Sequence, residues 1–406
     1  MNLSMRRGLG GSTLIWIIVL GVATIAGGFL ISTFTLSTLP VQASGEAEQV
    51  DALFTFLMFL GGVVFLLVQG LLVITIVRFR RKPGDDTDGA TFDGNPTLEV
   101  IWTAIPAFIV IVLAVYSYQV WISIREPKPD EISIQALGQR FAWNFTYEDP
   151  LSRIPEDLPQ TFSDSVLHTY VGRPVVLHLQ TADVNHAFWV PTMRIKQDLL
   201  AGRTTDIRFT PIRAGRYRVV CAELCGSGHG GMFSYIQVYA TEQEWMERFI
   251  DLRVDRVLNP PTDPVALGFN ILSSGSSSRV ASAYPCAGCH LNDNLGWAGI
   301  TGPSLNGIGD AAVRRAVSSG TGSPEAYIAS SIRHPNQYTA PGYQSGVMPQ
   351  FGPDEQPPAA LEGPYYVHMP DEDLIEIVSY LCTQTSTGES SCGDLESITA
   401  AVEAQR

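Results

Sequence analysis

The chain has 406 residues, 45% of them hydrophobic, with 26 basic and 40 acidic residues and a formal net charge of -14. That length is enough for two or three units, each with its own core. The acidic balance argues against a general nucleic-acid binder, which carries a basic field.

Residues 8–45 carry no charge, and Leu14 to Leu39 is almost wholly apolar. A second apolar stretch runs from Ala52 to Val77, and a third from Val100 to Ile122 with Trp102 and Trp121 near its ends. Each is long enough to cross a hydrocarbon layer of about 30 Å, and the aromatic ends suit the two interfaces. Buried core helices of a soluble protein are the alternative. Arg78, Arg80, Arg81 and Lys82 follow the second stretch, which places the loop after it on the cytoplasmic side and everything beyond Ile122 outside. Arg6 and Arg7, the apolar run and "VQASG" fit either a signal peptide cut near Ala43 or a retained helix. The prediction is therefore a transmembrane helical hairpin over residues 44–125, with spans near 52–77 and 100–122. Residues 1–43 are a signal peptide or an additional helix.

From Glu131 to about Tyr239 come short β-rich runs with partial alternation, among them "EISIQAL", "RPVVLHLQTA" and "FSYIQVYA", bounded by Gly, Pro and Asp. They predict an antiparallel sandwich or barrel. A helical piece, "TEQEWMERFIDLRV", precedes "LNPPTDPVALGFNILSSGSSSR", whose Pro, Gly and Ser content reads as a linker. A third unit spans roughly 281–381 and closes with "MPDEDLIEIVSYL", an acidic opening before an apolar periodic run, as a helix start has. The tail beyond Cys382 is small, polar and expected to be mobile. No internal repeat is visible.

"CAELCGSGHGGM" (Cys221 to Met232) places two thiols, an imidazole and a thioether within twelve residues. Thiolates are soft donors for copper or zinc, imidazole suits both, and a thioether favours copper. A further histidine must come from elsewhere, and His186 in "ADVNHAFWVP" is the best candidate. A Cys221–Cys225 disulfide is the alternative in an oxidising compartment, but it leaves His229 and Met232 without a role.

This segment resembles the dinuclear copper A centre of subunit II of the heme–copper cytochrome c oxidases. The resemblance implies a cupredoxin-like domain over 126–240, with Cys221 and Cys225 bridging two copper ions. It assigns the remaining ligands to His186, His229, Met232 and the carbonyl of Glu223. It also implies that the Glu223 carboxylate binds a Mg or Mn ion at the boundary with subunit I. "LEVIWTAIPAF" is similar to the family's second helix, in which the carboxylate at the place of Glu99 stands at the mouth of a proton pathway. From the residues alone, Glu99 is an interfacial carboxylate that is cheap to solvate. One stretch departs from the family. In "GQRFAWNFTY", Phe141 stands where a surface Trp is expected to receive electrons, and Trp143 matches a later aromatic of that run. An external cytochrome c would then dock differently or not at all.

"CAGCH" (Cys286 to His290) is the c-type heme attachment pattern, two thioethers and an axial histidine, with a zinc half-site as its rival. "TGPSLNGIG" and "GYQSGVMPQF" resemble segments of small cytochromes c. That likeness implies that the Pro303 carbonyl orients the His290 ring and that Met348 is the sixth iron ligand. Met369, His334 and His368 are the rival ligands. Cys382 and Cys392 are left as a disulfide or as two free thiols.

The combined expectation is subunit II of an aa-type oxidase carrying a fused all-α class I cytochrome c domain. Its parts are a helix and linker at 241–279, the heme domain at 280–385 and a flexible tail at 386–406. Electrons would pass from an upstream donor to heme c, to the copper pair and on to subunit I, which reduces oxygen and pumps protons. Subunits I and III are the implied partners, in a bacterial cytoplasmic membrane with both redox domains on the periplasmic side. Two other classes stand against this. A quinol-oxidase subunit II lacks the copper ligands, and Cys221, Cys225, His229 and Met232 speak against it. A membrane-anchored electron carrier or copper-handling protein outside an oxidase would give Glu99 and Glu223 no purpose.

Overall fold

The computed structural model describes residues 11–81, 83–84, 94–275, 277, 279–280, 284–358 and 366–406. Arg6 and Arg7 of the signal-peptide reading and Lys82 of the basic cluster lie outside the described residues. The chain divides into two compact units, Met1–Glu126 and Pro127–Arg406.

The first unit holds three helices: α1 (Gly11–Ser37), α2 (Gly45–Phe79) and α3 (Pro96–Arg125). All three are long and apolar enough to cross a membrane. The two predicted spans extend at both ends because polar caps lie beyond the apolar cores. Ser44 accepts the Ala47 N–H at the start of α2, where Glu46 and Glu48 meet the positive end of the helix dipole. Asn95 accepts the Leu98 N–H at the start of α3, with Pro96 in the first turn. α1 and α2 come together at small residues: a Cβ added to Gly62 would lie 3.1 Å from Gly28 Cα. Such close approach supplies packing contact where lipid provides no hydrophobic drive. Phe29, Val64 and Phe108 are exposed, as on surfaces that face a bilayer.

The second unit opens with a sandwich of ten strands. In chain order they are β1 (Ile132–Gln139), β2 (Ala142–Glu148), β3 (Thr161–Asp164), β4 (Leu167–Tyr170) and β5 (Val175–Thr181). There follow β6 (His186–Val190), β7 (Ile195–Leu199), β8 (Thr205–Phe209), β9 (Gly215–Cys221) and β10 (Phe233–Tyr239). One sheet has the order β3-β2-β1-β5-β8 and the other β4-β10-β9-β6-β7. The β1–β5 and β4–β10 pairs are parallel, which corrects the fully antiparallel expectation. Side-chain alternation reports which face of a strand is buried, not the direction of its neighbour. Ile134, Phe145, Leu177 and Leu179 from one sheet and Phe188, Val219 and Ile236 from the other are fully buried between them.

Two short helices, α4 (Glu242–Trp245) and α5 (Asp251–Leu258), join through a π-helical turn at Met246–Ile250. Phe249 in that turn stacks on His168 at 4.0 Å and meets Tyr147 edge-on at 4.9 Å, which fastens the segment to the sandwich.

The C-terminal part contains α6 (Pro264–Ser274), α7 (Cys286–Cys289), α8 (Ile308–Ser319), α9 (Pro324–Arg333), α10 (Asp371–Cys382) and α11 (Leu395–Glu403). It is not all helix. The strands β11 (Leu291–Asn292) and β12 (Trp297–Ala298) pair, as do β13 (Gln350–Gly352) and β14 (Tyr366–His368). The linker predicted over 258–279 is also corrected, because α6 belongs to this core through Ile271 and Leu272. Asp263 caps its start and Gly275 ends it in the left-handed region. At Gly268 the helix crosses α10 so closely that a Cβ would lie 1.9 Å from Glu376 O. The flexible tail is a further correction. The disulfide Cys382–Cys392 returns the chain, and α11 buries Ile398 and Val402 in the same core. Arg406 pairs with Asp371. The tail's polar surface hid two apolar residues one helical turn apart.

Candidate metal centre and cofactor cleft

β9 ends at Cys221, and the loop to β10 turns back through a short 3-10 turn, His229–Gly231. The Cys221 N–H donates to Met232 O at 3.0 Å, so both ends of the loop stay in the sheet while its side chains converge. Cys221 Sγ lies 3.9 Å from Cys225 Sγ and 3.8 Å from His186 Nδ1. Cys225 Sγ lies 3.6 Å from His229 Nδ1 and 3.8 Å from Met232 Sδ. Cys221 Sγ lies 3.2 Å from Glu223 O. Cys221 and Cys225 are free thiols, so the disulfide alternative for this pair does not form. Among the described residues, His186, Cys221 and Cys225 are the one group of His, Cys, Asp or Glu side chains with ligand atoms close enough to share a metal ion. His186 is fully buried and Met232 is 1% exposed. Two sulfurs flanked by two imidazoles, a thioether and a carbonyl form a donor set that fits soft-metal chemistry, copper above all.

The electrostatics suit a site that exchanges protons for metal. The hydrogen bond with Cys225, joined by His186, outweighs burial and lowers the Cys221 thiol to about 3. The Cys221 sulfur and burial push the Cys225 thiol up, so the pair gives up one proton easily and holds the other. Asp183 accepts from His186 Nε2 at 2.9 Å. Burial alone would raise the Asp183 carboxyl, but hydrogen bonds from His186 and from the Arg140 and Val184 backbone hold it at about 2. Burial would likewise lower His186, and Asp183 with Cys221 reverses that and raises it. Neither Asp183 nor Arg140 was found from the sequence, although the Asp-x-x-His spacing of Asp183 and His186 was a usable signal.

A second site lies in the helical part. Cys286, Cys289 and His290 line a cleft with about 1210 Å³ of empty volume, counting its open mouth. Pro303 and Met348 line the same cleft. His290 Nδ1 is 2.7 Å from Pro303 O. A carbonyl only accepts, so Nδ1 carries the proton and Nε2 keeps its lone pair for a metal. Burial lowers the His290 pKa, which keeps the ring neutral. Burial raises Cys286 to about 12, with Cys289 adding, and raises Cys289 to about 11. Free, half-buried thiols, a neutral oriented imidazole and a thioether on one apolar cleft fit a covalently held heme. The rival ligands lie elsewhere. Met369 is 1% exposed in the helical core, His334 Nε2 contacts Gln405 O at 3.2 Å, and His368 Nδ1 contacts Asp354 O at 3.0 Å.

The remaining predicted positions divide. Glu99 is exposed and its Oε1 accepts the Asn95 N–H at 3.2 Å, part of the cap of α3. The Glu223 side chain is exposed, while its carbonyl faces the thiol. Trp143 and Phe141 are each 2% exposed, so neither offers a surface to an outside protein. Trp143 packs edge-on against Phe188 at 5.5 Å. Phe141 is covered by both sites: a Cβ on Gly228 would lie 2.4 Å from its ring, and one on Gly288 would lie 1.8 Å from its carbonyl oxygen.

Two family models match the chain. The cytochrome c oxidase subunit II transmembrane domain covers residues 32–120, and the subunit II periplasmic domain covers residues 132–239. Cytochrome c oxidase subunit 2 of Synechocystis sp. is 33% identical over 281 residues, 55% of this chain and 81% of its own length. The same subunit of Alkalihalophilus pseudofirmus is 27% identical over 326 residues, 78% of this chain and 82% of its own. Among solved structures, the periplasmic domain of subunit II of cytochrome oxidase from Bradyrhizobium japonicum is 24% identical. It covers 32% of this chain and 98% of its own, with a TM-score of 0.27.

Proposed function

The chain belongs to the cytochrome c oxidase subunit II family, and we propose that it relays electrons between a heme held in the helical cleft and a dinuclear copper site in the sandwich. It is part of the oxidase complex, a membrane protein with an outer-side domain, and subunit I is its partner. The family carries a copper A centre. Here Cys221, Cys225, His186, His229, Met232 and the Glu223 carbonyl would hold the copper. Cys286, Cys289, His290 and Met348 would hold the heme, the two cysteines covalently. Copper and heme supply one-electron redox chemistry when bound; the protein supplies position and insulation.

What the chain's own residues do follows from their surroundings. Pro303 fixes the tautomer of His290, and Asp183 fixes the ring of His186. Phe188 and Trp143 close the copper site from the sandwich core and exclude water. Phe141 fills the gap between the two sites, so electrons would reach the copper loop from within the chain, with the outside donor delivering to the heme. The Glu223 carboxylate, exposed beside the cluster, would bind Mg or Mn at the boundary with subunit I. Glu99 would serve at the mouth of a proton pathway as well as capping α3. Both redox sites would lie on the periplasmic side of a multi-pass subunit, alongside subunits I and III.

The convergence of Cys221, Cys225, His186, His229 and Met232 on one buried point carries this reading. Metal and heme analysis of the purified complex tests it, with visible spectra in both oxidation states. Two coppers and one covalent heme on this chain are expected. Heme without copper after copper loading would overturn the relay.

A further inference from the structure

The dipeptide Arg140–Phe141 is the wall between the two sites. The Arg140 backbone N–H and its Nε donate to Asp183 Oδ2 at 2.9 and 3.1 Å. Asp183 Oδ1 in turn meets His186 Nε2 at 2.9 Å. The Arg140 stem rests on the copper loop, since a Cβ on Gly226 would lie 3.6 Å from its Cδ. The same residue lines the cleft with Cys286, Cys289 and His290. The two sites also touch directly: a Cβ on Gly231, in the copper loop, would lie 2.4 Å from Thr301 Oγ1 in the cleft wall. Arg140 therefore touches both the support of a candidate copper ligand and the wall of the cleft.

We propose that Arg140 is a positioning residue shared by both centres. It holds Asp183, and through it the His186 ring, and it presents a fixed positive charge to a carboxylate on the rim of the tetrapyrrole in the cleft. This rests on the heme reading above. Arginine meets carboxylates through a planar fork that stays charged at every working pH. A nearby cation favours the reduced form of a redox group, because reduction adds negative charge. Removing Arg140 takes that cation from the heme and leaves Asp183 uncompensated beside His186. Both changes favour oxidised metal.

The test uses the assembled oxidase carrying Arg140→Gln, Arg140→Lys or Asp183→Asn. Redox titration reads the heme from its visible bands and the copper from its electron paramagnetic resonance. Arg140→Gln is expected to lower both potentials. Arg140→Lys is expected to restore much of the heme potential while the copper hyperfine pattern stays altered, because a point charge does not replace the fork. Asp183→Asn is expected to raise the copper potential alone. A heme-loaded Arg140→Gln complex with an unmoved heme potential overturns the shared role, whether or not the copper shifts. A wild-type complex without covalent heme overturns the reading beneath it instead.

Discussion

Met232 presents its sulfur 3.8 Å from Cys225 Sγ and is 1% exposed. Met232→Leu keeps the volume and removes the donor. It should cost under about 1.5 kcal/mol in stability yet change the copper spectrum, read by thermal melts and visible absorption together. Cys225→Ser should lose the paired-copper signature altogether, because a hydroxyl is a poor bridge for soft metal. Such residues were legible because they crowd into one loop, and donor chemistry survives without coordinates. Asp183 was legible only through its spacing to His186, and its pairing with Arg140 was not legible at all. That pairing arises where the β1–β2 turn meets the approach to β6, a meeting that sequence separation conceals.

The buried Asp164 on β3 and the half-buried Arg253 on α5 form an ion pair that joins the connecting helix to the sandwich. Burial pushes Asp164 up, but the Arg253 charge and His168 outweigh it and hold the carboxyl at about 2, below its ordinary 3.8. A depressed folded pKa means the contribution, about 2 kcal/mol, is complete above the unfolded value and is lost as pH falls through about 2. Arg253→Met removes the partner and should destabilise by about 3 kcal/mol at neutral pH, with the acid unfolding midpoint moving upward in circular dichroism. At the α6–α10 crossing, Gly268→Leu has no room against Glu376 O. It should lower the melting of the helical part by several degrees and reduce heme retention, measured by covalent heme per chain. Strand and helix existence was readable from alternation and capping. Strand direction and the membership of α6 and α11 were not, since each depends on a partner far away in sequence.

Residues 127–406 form one compact unit that contains both the copper loop and the cleft. The proposed copper ligands come from β6, from the end of β9 and from the loop to β10, so a bound metal would tie these pieces together and favour the folded state by mass action. Removing copper with a soft chelator should lower the unfolding temperature of this unit while the helical signal of α1 to α3 persists, followed by circular dichroism. The sequence alone determined the three apolar helices, the donor sets at Cys221–Met232 and Cys286–His290, and the family. These are properties of composition, spacing and residue chemistry, which act locally. Only the tertiary structure decided that Phe141 is buried between the two sites, that Met348 and not Met369 lines the cleft, and that Arg140 reaches both. Those outcomes depend on which surfaces the folded chain brings together, and no local pattern encodes that.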